Sequence, residues 1–85
     1  MVELMKETKA IGETIRFHRK KGKLTQMLLA RLAGVGKSAV FDLEKGKETI
    51  QLDTLLKIMK VLNIKFDLSS PLMKEFSKTK EAVTK

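Results

Sequence analysis

The sequence predicts an all-α fold of four or five helices, closed by a short β-strand that pairs across a dimer. Three observations carry this expectation. Apolar residues recur at spacings of three and four from Ile11 to Leu62, and the pattern is strongest in LDTLLKIMKVL. Two short helix-like segments flank a glycine-containing turn in LTQMLLARLAGVGKSAVFDLEKGK. After Leu62 the period changes to two, with Ile64, Phe66 and Leu68 alternating with Lys65, Asp67 and Ser69.

A chain of 85 residues has room for one small core, so one domain is expected, with marginal stability unless a second copy or partner adds to it. Hydrophobic residues make up 42% and charged residues 33%, a globular rather than a disordered mixture. The absence of cysteine excludes disulfides and thiol chemistry. No apolar run approaches the length of about 20 residues that spans a bilayer, and MVELMKETKA lacks the apolar segment of a secretory signal. A cytoplasmic, nucleoid-associated location is the expectation.

In chain order, Ile11, Ile15 and His18 place a first helix at about Thr8 to Lys21, with Thr8 as N-cap and Gly22 at its end. Thr25 caps a second helix of about eight residues in which Leu29, Ala30, Leu32 and Ala33 are available to pack. Gly34 stands where that helix would stop in a left-handed conformation. A third helix, from about Lys37 to Lys45, turns Val40 and Leu43 inward and leaves Lys37, Ser38, Phe41, Asp42 and Lys45 on the opposite face. KETIQ is a loop, and Leu52, Leu55, Leu56, Met59 and Leu62 form the core stripe of helix 4.

A lone strand at Ile64, Phe66 and Leu68 leaves a ladder of backbone groups unpaired, and pairing with its own copy across a twofold axis satisfies them. The alternative is an irregular extended tail. The domain is therefore placed at 1–71, with its dimerisation strand at about 64–69, followed by a basic polar tail at 72–85, frayed or disordered.

The net charge of +8 is unevenly placed: Arg16, Arg19, Lys20, Lys21, Lys23, Arg31 and Lys37 lie between Thr14 and Phe41 without one acid among them. Such a field attracts polyanions, against the plainer reading of a solvated face. A short turn between the second and third helices makes a helix-turn-helix, whose second helix enters the DNA major groove while the first crosses the backbone.

These residues carry a resemblance. TQMLLARLAGVGKSAVFDLEKGK is similar to the phage-repressor-like (Cro/C1, or XRE) helix-turn-helix, usually close to TQ..LA...GVS...IS.IE.GK. The likeness runs from about Ile11 to Leu68, and it implies a lambda-repressor-like bundle that binds operator DNA as a dimer. It further implies that Thr25 and Gln26 lie against phosphate, that Lys37, Ser38, Phe41 and Asp42 face base edges, and that Arg19 pairs with Glu44. Lys23, Arg31, Lys45 and Lys47 are the basic residues expected on phosphates around the motif.

Three positions depart from the pattern. Leu28 replaces a common acid, Gly36 replaces a Ser or Thr cap, and Phe41 stands where small or polar residues are usual. Phe41 either touches a thymine methyl or packs on helix 2. LNIKFDLSSP resembles the end of HipB-type antitoxins, where a strand from each chain builds a small intermolecular sheet. That implies a homodimeric autorepressor on a palindromic operator, partnered by a HipA-type kinase toxin.

The competing class is a protein-interaction module that no longer reads sequence, for which Met27, Leu28 and Phe41 supply apolar surface. An enzyme is not expected, because no triad, metal-ligand spacing or GxxxxGK[ST] loop is present and His18 has no second ligand nearby in sequence. No cofactor and no metal are expected.

Overall fold

The computed structural model describes the backbone of residues 2–83 and the side-chain surroundings of residues 7–78. Its helices are α1 (Val2–Lys21), α2 (Gln26–Ala33), α3 (Lys37–Glu44), α4 (Leu52–Val61) and α5 (Met73–Val83). α3 packs on α1 and α2, α2 packs on α4, and α3 also touches α4. Ile15, Leu29, Ala30, Val40, Leu43, Leu55, Ile58 and Met59 form the core, and Leu24, Val35, Leu62 and Ile64 close its edges.

The expected helices are present, with shifted edges and faces. α1 starts well before Thr8, which lies inside the helix and does not cap it. VELMKET contains good helix formers and no breaker, so nothing halts the helix at Thr8. The packed face of α1 is Gly12, Ile15 and Arg19; Ile11 is 39% exposed. Leu32, Leu52 and Leu56 are exposed as well, and the fully buried residue of α4 is Ile58, which the stripe had omitted. Only the part of each apolar arc that a neighbouring helix covers is buried.

Gly12 explains how closely α1 meets α3. A Cβ there would collide with the Leu43 carbonyl oxygen and come within 2.9 Å of the Glu44 carbonyl oxygen. The last turn of α3 therefore lies directly against the α1 backbone.

Helices α1 to α4 end alike. Just past each end, the amide of a left-handed residue bonds three residues back, and the next amide bonds five back. The pairs include Lys23 to Lys20 (3.0 Å) with Leu24 to Arg19 (3.1 Å), and Asn63 to Lys60 (3.1 Å) with Ile64 to Met59 (2.9 Å). The left-handed residue ending α1 is Lys23, at φ 59°, and not Gly22. The residue after it decides this: Leu24, like Val35 and Ile64, folds back onto the core.

The expected β-strand is not formed. Residues 64–70 carry no regular secondary structure, and no strand occurs among the described residues. The chain offers no second edge to pair with, while Ile64 is held by its amide and side chain against α4. Phe66 and Leu68 remain exposed. A turn at Pro71 and Leu72 leads into α5, which occupies Met73–Val83 of the segment assigned as a tail; Thr84 and Lys85 lie outside the described residues.

Candidate nucleic-acid interface

The interface begins at the α2–α3 corner. Thr25 is extended (φ −79°, ψ 163°), and its hydroxyl oxygen accepts from the Leu28 amide at 3.0 Å, starting α2. Gly34, at φ 72°, ends α2 in the left-handed region, and three residues later α3 begins. Gly36 caps α3 without a side-chain hydrogen bond, and its carbonyl oxygen accepts from the Ala39 amide at 3.1 Å in the first turn.

Behind α3, a nearly buried polar knot fixes its direction. Arg19 Nε donates to Glu44 Oε2 at 2.5 Å, and Arg19 Nη2 donates to Glu44 Oε1 at 3.0 Å. Arg19 Nη1 donates to the Leu24 carbonyl at 2.8 Å, so one guanidinium ties α1 to α3 and to the turn before α2. Side-chain exposure is 10% for Arg19 and 4% for Glu44, which shields the pair from competing water. The hydrogen bond to Glu44 raises the Arg19 pKa, burial opposes it, and the Glu44 charge adds to the rise.

Gln26 joins the same knot: its Nε2 donates to Glu44 Oε1 at 3.1 Å. One amide hydrogen and the carbonyl oxygen remain for DNA, so the expected phosphate contact would come from a side chain already oriented by Glu44. Sequence spacing gives no hint of this link, because the partners are 18 positions apart.

The outer face of α3 carries the four residues assigned to base edges. Lys37 and Ser38 are exposed, Phe41 is 46% exposed and Asp42 is half-buried. Phe41 stands at the surface, and Lys45 Nζ lies 4.8 Å from its ring centre. Lys47 Nζ lies 3.4 Å from Asp42 Oδ2. A groove of about 280 Å³ runs beside this face, lined by Ser38, Asp42, Lys47, Thr49, Gln51 and Thr54. Sequence reasoning missed Thr49, Gln51 and Thr54; the short loop between α3 and α4 carries the first two and the first turn of α4 carries Thr54.

Lys23, Arg31, Lys45 and Lys47 are exposed. Of the seven cations between Thr14 and Phe41, Arg19 is spent on Glu44, while Arg16, Lys20, Lys21, Lys23, Arg31 and Lys37 face solvent. Of the three residues assigned to a dimer strand, Ile64 packs on the core, while Phe66 and Leu68 are exposed. Among the described residues no helix is long and apolar enough to cross a membrane, and no cluster of His, Cys, Asp or Glu is arranged to hold a metal.

The family model described as helix-turn-helix matches residues 15–69. An uncharacterized HTH-type transcriptional regulator, y4mF, of Sinorhizobium fredii (strain NBRC 101917 / NGR234) is 37% identical over 71 residues, covering 84% of this chain and 93% of that protein. The matched residues include the Arg19–Glu44 knot, both helices of the motif and the whole of α4. The chain belongs to the XRE-type (Cro/C1) helix-turn-helix family of DNA-binding transcriptional regulators.

Proposed function

We propose that the protein is a sequence-specific repressor that binds a palindromic operator as a homodimer, and that it acts by binding alone, without catalysis or cofactor. The observation that carries this reading is the division of α3. Its inner side is held by Arg19, Glu44 and Gln26, while its outer side presents Lys37, Ser38, Phe41 and Asp42. A rigid helix with a polar, exposed face suits base reading, and the surrounding lysines and arginines suit phosphate. Two copies would place their reading helices about one DNA turn, or roughly 34 Å, apart.

Dimerisation would use the segment after α4. Residues 64–70 leave backbone groups outside any ladder, and exposed Phe66 borders an apolar groove of about 210 Å³ between α1 and α4. Pairing of two such segments would satisfy the backbone and cover Phe66 and Leu68. This arrangement, with the LNIKFDLSSP segment, supports an autoregulating HipB-like antitoxin with a HipA-type kinase toxin as partner, working in the cytoplasm at the nucleoid.

A second reading, a partner-binding module that does not read sequence, is favoured by Met27 (53% exposed), Leu28 (38%) and Leu32 (57%) on α2. Selection of random duplex DNA by the purified chain, with the mass of the complex measured in parallel, separates the two. A palindromic motif bound by two chains supports the repressor. Tight binding without a motif, or none, moves the assignment to partner binding.

A further inference from the structure

Phe41 and Asp42 are adjacent on the outer part of α3, and each is attended by its own lysine. Lys45 Nζ lies 4.8 Å from the Phe41 ring centre, and Lys47 Nζ lies 3.4 Å from Asp42 Oδ2. An unaccompanied carboxylate on a DNA-facing helix would be repelled by the phosphates. Lys47 offsets that charge and leaves the carboxylate's remaining lone pairs free to accept.

The chemistry of the major groove limits what these two side chains can select. An ionised carboxylate only accepts, so it requires an exocyclic amine, which cytosine offers at N4 and adenine at N6. Adenine places the acceptor N7 beside its amine, and that lone pair repels a carboxylate. Cytosine presents its amine with no such acceptor on the same base. The phenyl ring has no polar group, and the apolar feature of the groove is the thymine methyl. Lys45 accompanies the ring and carries a charge drawn to the backbone, so it holds the phenyl group against the duplex without burying it.

Resting on the reading of α3 as the base-reading helix, we infer that each operator half-site contains a cytosine selected by Asp42 through its N4 amine. On a neighbouring base pair stands a thymine selected by Phe41 through its methyl group. The two contacts fall on different base pairs, because consecutive side chains of a helix diverge by about 100°.

The test uses the full chain and a duplex obtained by random selection, with affinity read by fluorescence anisotropy. Thymines are replaced one at a time by deoxyuridine, which deletes only the methyl group. One such position per half-site should weaken the wild-type protein by about fivefold or more and leave the affinity of Phe41→Ala unchanged. Asp42→Asn should move the preferred base at one neighbouring position from cytosine to adenine, because an amide bonds adenine N6 and N7 together. Neither side chain belongs to the core, and the deoxyuridine series needs no variant at all.

A selected motif indifferent to every deoxyuridine substitution overturns the Phe41 assignment. An Asp42→Asn protein with unaltered base preference overturns the Asp42 assignment. Failure of the wild-type chain to select any motif overturns the base-reading role of α3, and the inference falls with it.

Discussion

Arg19 and Glu44, 25 positions apart in the chain, meet side-on through two hydrogen bonds of 2.5 and 3.0 Å. Through them α1 determines where α3 points. Gln26 and the Leu24 carbonyl bond to the same two side chains, so the helix before the turn and the helix after it share one polar centre. Among the described residues, no buried side-chain nitrogen or oxygen lacks a partner.

Breaking this centre from one side should be severe. Glu44→Ala leaves a nearly buried guanidinium without its carboxylate, and we expect a loss of about 3–5 kcal/mol in urea unfolding. The double change Arg19→Met with Glu44→Leu should recover much of that loss, since no charge remains buried. A double variant as unstable as Glu44→Ala would contradict the account.

The pair should also resist alkali on the arginine side. A group whose pKa is raised by folding contributes stability below its unfolded value and loses it only as pH climbs through the folded value. For Arg19 both lie far above neutral pH, with the folded value the higher because of the hydrogen bond to Glu44. The stability difference between wild type and Arg19→Met should therefore stay constant from about pH 7 to pH 10, measured by paired denaturant titrations.

Gly12→Ala tests the α1–α3 contact. Its methyl group meets carbonyl oxygens of Leu43 and Glu44, which are backbone and cannot swing aside. We expect destabilisation of about 1–3 kcal/mol despite alanine's better helix propensity. A stabilised variant, by thermal melt, would show that the helices sit further apart.

Lys23 carries a structural cost beside its proposed contact with phosphate. It adopts φ 59° at the end of α1, a conformation that costs a non-glycine residue about 1–2 kcal/mol. Lys23→Gly should raise stability by about 1 kcal/mol and weaken binding to operator and random duplex alike. A change in base preference instead would reassign Lys23 from phosphate to base reading.

Binding should weaken steeply with salt, because the exposed cations around the motif displace counterions. Log affinity against log salt should slope by about −0.9 for each phosphate neutralised. A flat plot, measured by anisotropy, would remove phosphate contact as the source of affinity.

Much of the motif was legible in the chain because its signals are local. Thr25 as cap, Gly34 as a left-handed stop, and Val40 with Leu43 as the inner side of α3 all depend on neighbours within one turn. Leu32, Leu52 and Leu56 were misjudged for the opposite reason. An apolar arc shows that a helix buries a side, but the approaching helix decides which part of the arc is covered. The strand pattern at 64–69 specified alternation without supplying a second edge within the chain.

The sequence by itself determined the helix-turn-helix, its caps, and the residues on the outer side of α3. Those choices are made by backbone preferences and spacings of three to five residues. The tertiary structure alone decided that Gln26 joins Arg19 and Glu44, that Gly12 admits α3 against α1, and that Thr49, Gln51 and Thr54 line the groove beside Ser38 and Asp42. Each depends on where two distant segments meet, and that is set by packing the whole core at once.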